Sequence, residues 1–346
     1  MSSPLPALVE DERVERNVDR EPPLVSSVER VFSQWGSLEA SVLVSYGDEL
    51  ILGLYPAGLY AYDGSKWRLL YEPRDELFSA WSYDLFKGKL YVGAGTRSYG
   101  LVLEYDGDEV REALRVPDGT GGGGGLFEAL TAVGGVLYAG RRNEVWATRD
   151  GVEWEKVFSF NTGKGVYLIG RQGDSIYVFE GEPIKPPTRV YSLKGSTAAE
   201  KVYHGIGAFR SHTPGSRSSY KGYLVIADFD GRVYFFKDFQ LWEVYSFGSR
   251  YECRGNVAVR PKKVGDILLL AAGTGTGVLE THGELAANIG GEWVRLLTLP
   301  LNVHDVELYG ENLYLACNSP ARPLKEWFNT AYCCVLKLPA DILGSR

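Results

Sequence analysis

The chain has 346 residues, 13% of them aromatic, with 42 glycines and a single methionine. Its formal net charge of −7 removes the electrostatic reason to expect nucleic-acid binding, which needs a basic surface to displace counterions. No apolar run reaches the roughly 18 residues of a membrane-spanning helix, and tyrosine, valine, leucine and glycine dominate the periodic segments, which favours strands and tight turns.

Residues 1–27 mix acidic, basic and proline positions and lack the apolar core of a secretory signal. They are expected to form a tail or linker, and the protein to be soluble and cytoplasmic. "VERVF" (Val28 to Phe32) follows as a short strand. Four more strands come next: "SVLVSY", "ELILGL", "GLYAYD" and "WRLLY". The second of these, with its preceding turn, returns along the chain. "GDELILGLY" is echoed by "FKGKLYVGAG", "VGGVLYAG", "RQGDSIYVF", "YKGYLVIAD", "VGDILLLAAG" and "YGENLYLAC", which makes seven copies. Leu50 and Leu313 stand six periods apart, so the period is about 44 residues, inside the range of propeller blades.

The turn before the fourth strand returns as well. Asp63 stands four residues before Trp67, Asp150 before Trp154 and Asp238 before Trp242. Trp293 keeps the position without the Asp, and Asp106 keeps it without the Trp. Asp-Gly favours a tight turn, and the Trp opens the next strand. The second strands end in small residues, Gly53, Gly93, Ala139, Ala227, Ala271 and Ala316, which suit a crowded position near a central axis.

The seventh copy lacks a fourth strand after "AYCCVLKLP". "VERVF" matches "WEKVF" (Trp154 to Phe158) in spacing and chemistry, so the N-terminal strand is expected to complete the last blade. The expected fold is all-β: a single seven-bladed β-propeller over residues 28–346, four antiparallel strands per blade, with residues 28–36 as the outer strand of the last blade. Closing the ring this way removes exposed edges.

Four cysteines are present: Cys253, Cys317, Cys333 and Cys334. None forms a C-x-x-C pair, so no zinc site is expected. Cys317 falls on a strand next to Cys333 and Cys334, which leaves two readings open, buried free thiols or a disulfide. The scarcity of Gln, Cys and Met points toward a thermophile.

Thr148 and the run Asp150-Gly151-Val152-Glu153-Trp154 resemble the Asp-box turn of sialidase-like and other sugar-handling propellers. The LYVG-type second strand and Gly134-Gly135 resemble kelch-like blades. Both resemblances imply the propeller fold and no one family. The Asp box implies a structural turn on the face opposite the usual active site.

Propeller connectivity places the turns between first and second strands, and between third and fourth, on one face. All of them are short. The other face receives "PDGTGGGGGLFE", "EGEPIKPPT", "YHGIGAFRSHTPGSRSS", "GTGTGVLETHGE" and "CNSPARPLKEWFNTA". Long connections on a rigid frame are where function usually sits. Aligning the second strands brings Trp81, Glu128, Tyr167 and His304 to equivalent positions at the channel mouth, with Tyr83, Asp84 and Asp305 close by. Arg141 and Arg142 follow a second strand. Such a set could bind a sugar, a peptide or a metal. His304 and Asp305 are neighbours on a strand and point to opposite sides, so they do not form an orienting pair. No histidine spacing suits a metal, and neither glycine run precedes a helix or a Gly-Lys-Ser/Thr, so no cofactor is expected. Arg141, Arg142, Arg210, Arg217 and Arg254 do not align with the three-arginine grip of sialidases. Arg322, Lys325, Trp327 and Phe328 form a candidate protein-contact patch in the last long connection.

The reading that follows is a monomeric propeller scaffold that engages a partner, most readily a protein, through the face with the long connections. A small-molecule or glycan ligand is the lesser expectation. The alternative is a hydrolase or lyase, glycan-directed, at the channel mouth. No catalytic residue can be assigned, so the balance leans away from an enzyme.

Overall fold

The computed structural model describes residues 28–35, 39–73, 77–118, 125–160, 165–172, 175–182, 185–194, 197–204, 219–228, 230–247, 257–274, 283–318 and 332–344. They form seven sheets of four antiparallel strands arranged in a ring. Six sheets are built from strands consecutive in the chain. The seventh takes Asn302–Tyr309, Asn312–Asn318 and Tyr332–Pro339, and then the N-terminal strand Glu29–Trp35 on its outer edge. That closing strand runs from Glu29 opposite Lys337 to Trp35 opposite Tyr332. Blade 1 holds it from the side as well: the Trp67 indole Nε1 donates to the Val31 carbonyl at 3.1 Å, and the Phe32 and Trp67 rings lie 4.9 Å apart. The tryptophan that marks blade 1 therefore also secures the ring closure. Residues before Val28, and Cys253, lie outside the described residues.

The turns follow from their residues. Between first and second strands, Lys87-Gly88 and Gly134-Gly135 carry positive φ at both central positions, the type I′ geometry that matches strand twist. Between third and fourth strands, the Asp63 carboxylate accepts from the Ser65 and Lys66 amides at 2.8 and 2.9 Å. Asp106 does the same for Asp108 and Glu109, and Asp150 for Val152 and Glu153. In blade 3 the Thr148 hydroxyl adds a bond to Asp150 and accepts from the Gly151 amide. Asp238 departs from this pattern. It and Phe239 form a two-residue turn with φ of 48° and 61°, and its amide donates to Gln172 of blade 4. Its four-residue spacing to Trp242 coincides with the others, but its mechanism differs.

Side chains fill the seams between neighbouring blades as successive apolar cores. Val42, Val44 and Ile51 of blade 1 pack with Phe78, Tyr83 and Leu103 of blade 2. Near the axis the blades approach closely: a Cβ on Gly53 would stand 2.8 Å from the Ala80 Cβ, and one on Gly93 would stand 2.5 Å from the Phe127 carbonyl. In blade 3 the residue in this register is Gly140, opposite Ala129, and not Ala139. Blade 4 places Phe179 there, stacked edge-on against Phe236 of blade 5 at 5.2 Å. The first strand of blade 5 is only Ser219–Tyr220 among the described residues, and Phe179 is a large, fully buried side chain at this seam. "EGEPIKPPT", expected as a long connection, is mostly strand. Ser175–Glu182 and Lys185–Lys194 continue the pairing outward, with Glu182 opposite Lys185.

Candidate functional site

The innermost strand of every blade leaves one edge without a strand partner, facing the channel. Unpaired backbone groups are costly when buried. Here side chains of other blades satisfy them. The Ser82 hydroxyl donates to the Phe127 carbonyl at 2.9 Å, and Ser41 and Thr131 do the same for Ala80 and Ile169. Asp84 accepts from the Ala132 amide at 2.8 Å and from Leu85 at the same distance. Asp305 accepts from Leu43 at 2.9 Å and from Val306 at 2.8 Å. Asp84 and Asp305 are thus buried caps on the edge of the neighbouring blade, deeper than the channel mouth.

Asp305 also belongs to a buried ionic cluster. Arg260 and Lys262 reach it from blade 6 at 3.6 and 3.4 Å, and Lys262 pairs with Glu307 at 2.5 Å. All four side chains are at most 7% exposed. The Ser45 hydroxyl donates to Glu307, the Lys262 ammonium donates to the Leu43 carbonyl at 2.6 Å, and Arg260 donates to the Ser41 carbonyl. Lys262 also stands 5.4 Å from the centre of the Tyr83 ring. Residues of blades 6, 7, 1 and 2 thereby fill the channel at this level. The sequence reading missed Arg260, Lys262 and Glu307. A usable signal was present: two cations two apart in "VRPKKV" and two anions two apart in "HDVEL" share a strand face in adjacent blades.

Above this level, Ser41, Trp81, Tyr167 and His304 are each the extra residue of a β-bulge in a first strand. Glu128 occupies the same register in blade 3, directly before Ala129. Three of the four candidates, Trp81, Tyr167 and His304, thus share a structural basis, since a bulge re-aims one side chain. Trp81 and Glu128 are half-buried. The His304 ring is buried, with Nε2 2.9 Å from the Asn318 side-chain oxygen and no bond to Asp305. Arg141 and Arg142 lie at the seam between blades 2 and 3. Arg141 donates to the Val116 carbonyl at 3.1 Å with its guanidinium over the Phe127 ring, and Arg142 pairs with the buried Asp118 at 2.7 Å. Burial pulls the Arg141 pKa down from its ordinary value. Arg322, Lys325, Trp327 and Phe328 lie outside the described residues, as do Arg210, Arg217 and Arg254.

Among the described residues, six tyrosine hydroxyls donate to carboxylates: Tyr71 to Glu112, Tyr91 to Glu104, Tyr105 to Glu49, Tyr191 to Glu180, Tyr234 to Asp228 and Tyr245 to Glu284. Three of them join neighbouring blades. Burial first, then the carboxylate, raises the first five phenols; Tyr105 is pushed up to about 12. These groups stay protonated and serve as donors. Among the described residues no three His, Cys, Asp or Glu are placed to hold a metal ion. No helix there is long and apolar enough to cross a membrane. A shallow depression of about 530 Å³ lies on the face of short turns, lined by Tyr46, Asp48, Glu49 and Asp106 with neighbouring glycines.

No protein-family model and no curated relative matches the chain. Solved structures do. Virginiamycin B lyase from Staphylococcus aureus superposes with a TM-score of 0.60 at 8% identity, over 89% of this chain and 98% of that one. A chain of the mitotic checkpoint complex gives 0.59 at 11%, over 94% and 98%. The extracellular domain of a proposed one-component system from B. thetaiotaomicron gives 0.56 at 12%; the match covers 89% of this chain but only 40% of that one. At these identities the likeness is one of fold: the chain is a seven-bladed β-propeller, similar in architecture to proteins of unrelated activity.

Proposed function

We propose that the chain is a binding scaffold whose partner, a protein, docks on the face that carries the long connections. One observation supports this reading above the others. The ionisable groups inside the channel are already occupied: Asp84 and Asp305 cap backbone edges, Glu307 holds Lys262, and His304 is bonded to Asn318. Acid–base chemistry needs a group held ready for substrate. The kelch-like and Asp-box-like resemblances belong to this reading too, as marks of a scaffold.

A glycan-directed lyase or hydrolase is the second reading. Trp81 and His304 share one bulge level, with Glu128 in the same register of blade 3, and one similar fold is that of a lyase. The test is affinity capture on the full chain, comparing wild type with Trp327→Ala/Phe328→Ala and with Val152→Ser on the opposite face. Capture of a protein by wild type and Val152→Ser, lost in the double variant, is expected. Equal capture by all three overturns the docking face. Glycan turnover that His304→Ala abolishes replaces the scaffold with the enzyme.

A further inference from the structure

Cys317 and Cys334 stand directly opposite each other on the second and third strands of blade 7. The Ala340 amide donates to the Glu311 carbonyl, which marks that pair as hydrogen-bonded. Alternation along the ladder gives the Cys317 and Cys334 pair the same type, with Cα atoms about 5.5 Å apart. Disulfides span Cα separations of about 4.4–6.8 Å. Opposed residues also project to the same side of the sheet. Cys317 and Cys334 share one apolar core with Leu297, Val303 and Leu315, whereas Cys333 packs on the other face with Ala40, Leu43 and Leu52. The orientation removes Cys333 as a partner. All three thiols are fully buried.

We infer that Cys317 and Cys334 are a disulfide-forming pair that locks the two middle strands of the ring-closing blade when the protein folds in the presence of a small-molecule disulfide. In the finished core the Cys317 thiol donates to the Leu315 carbonyl at 3.8 Å, and burial pushes its pKa well up. In the unzipped blade one of the two thiolates attacks one sulfur of the small-molecule disulfide and expels a thiolate. The other thiol then gives its proton to that base and attacks the protein sulfur of the mixed disulfide, expelling the second thiolate. Two protein thiols are oxidised and one disulfide is reduced to two thiols. The exchange occurs while the blade is unzipped, because the finished core excludes the reagent. The bond closes a loop over residues 318–333.

The test is refolding of the full-length chain from denaturant in oxidised and reduced glutathione. The expected product is lighter by about 2 Da with no glutathione adduct, and its peptide map joins Cys317 to Cys334. Cys253→Ser/Cys333→Ser, which keeps the native pair, forms the same link; Cys317→Ser and Cys334→Ser do not. Loop closure on this scale raises Tm by about 5 °C over the reduced protein. A link from Cys317 to Cys333 or Cys253, four thiols still titratable after oxidation, or a Tm below that of the reduced protein overturns the inference.

Discussion

The outer turns and the inner channel use the same side chain for the same task at very different range. Asp63, Asp106 and Asp150 sit in water and accept amides two and three residues ahead. Asp84 and Asp305 are buried in the channel and accept amides 48 and 262 residues away. The first group shapes a local turn that water could otherwise solvate. The second group joins one blade to the next at buried positions, and Asp305 balances two buried cations besides. Removing a buried charge partner leaves the other uncompensated, which costs far more than exposing a turn.

The comparison can be tested in order of size. Asp305→Ala is expected to destabilise the fold by about 3–5 kcal/mol in urea unfolding, because Lys262 and Arg260 lose a buried counter-charge. A loss below about 1 kcal/mol breaks the assignment. Asp84→Ala follows at about 1–3 kcal/mol, since the Leu85 and Ala132 amides lose a buried acceptor. Asp150→Ala is expected to lower Tm by less than Asp84→Ala does. Asp238→Asn, which keeps the tolerance for a positive φ, is expected to leave Tm unchanged, because the carboxylate takes no part in its turn; a loss equal to that of Asp150→Ala would unite the two turn types.

Acid sharpens the same contrast. The Ser65 hydroxyl, then the Lys66 and Ser65 amides, pull the Asp63 pKa down to about 2 from an ordinary 3.8. Backbone amides lower Asp106 and Asp150 in the same direction. The folded state therefore binds fewer protons than the unfolded state in this window. The stabilisation from these turns is complete above the ordinary carboxylate pKa and disappears as pH falls toward 2. Carboxyl NMR should place the Asp63 midpoint near 2; a midpoint near the ordinary value refutes the hydrogen bonding.

Range also explains how much of the molecule the sequence made legible. The Asp turns, the seven blades and the closing strand depend on neighbours in sequence or on a repeated period. Trp81, Tyr167 and His304 could be aligned because their blades repeat the same bulge. The one-residue slip from Gly140 to Ala139 arose because both are small, and a slip of one moves a strand position to the other face. The role of Asp84 was hidden because its partner Ala132 is in the next blade. Arg260 and Lys262 were harder still: they reach past blade 7 to the Ser41 and Leu43 carbonyls of blade 1, a relation set by the curvature of the ring.

The closing strand has a consequence for synthesis. Glu29 pairs with Lys337, so 308 residues must be added after the first before its partner exists. At about 5–20 residues per second, the ribosome takes roughly 15–60 s to span that interval. Throughout it, the strand Glu29–Trp35 lacks its sheet partner, although blade 1, with the Trp67 that contacts it, is already made. The interval from the first strand to the last is a waiting time set by translation, during which shielding of a seven-residue strand guards the nascent chain against pairing with another copy.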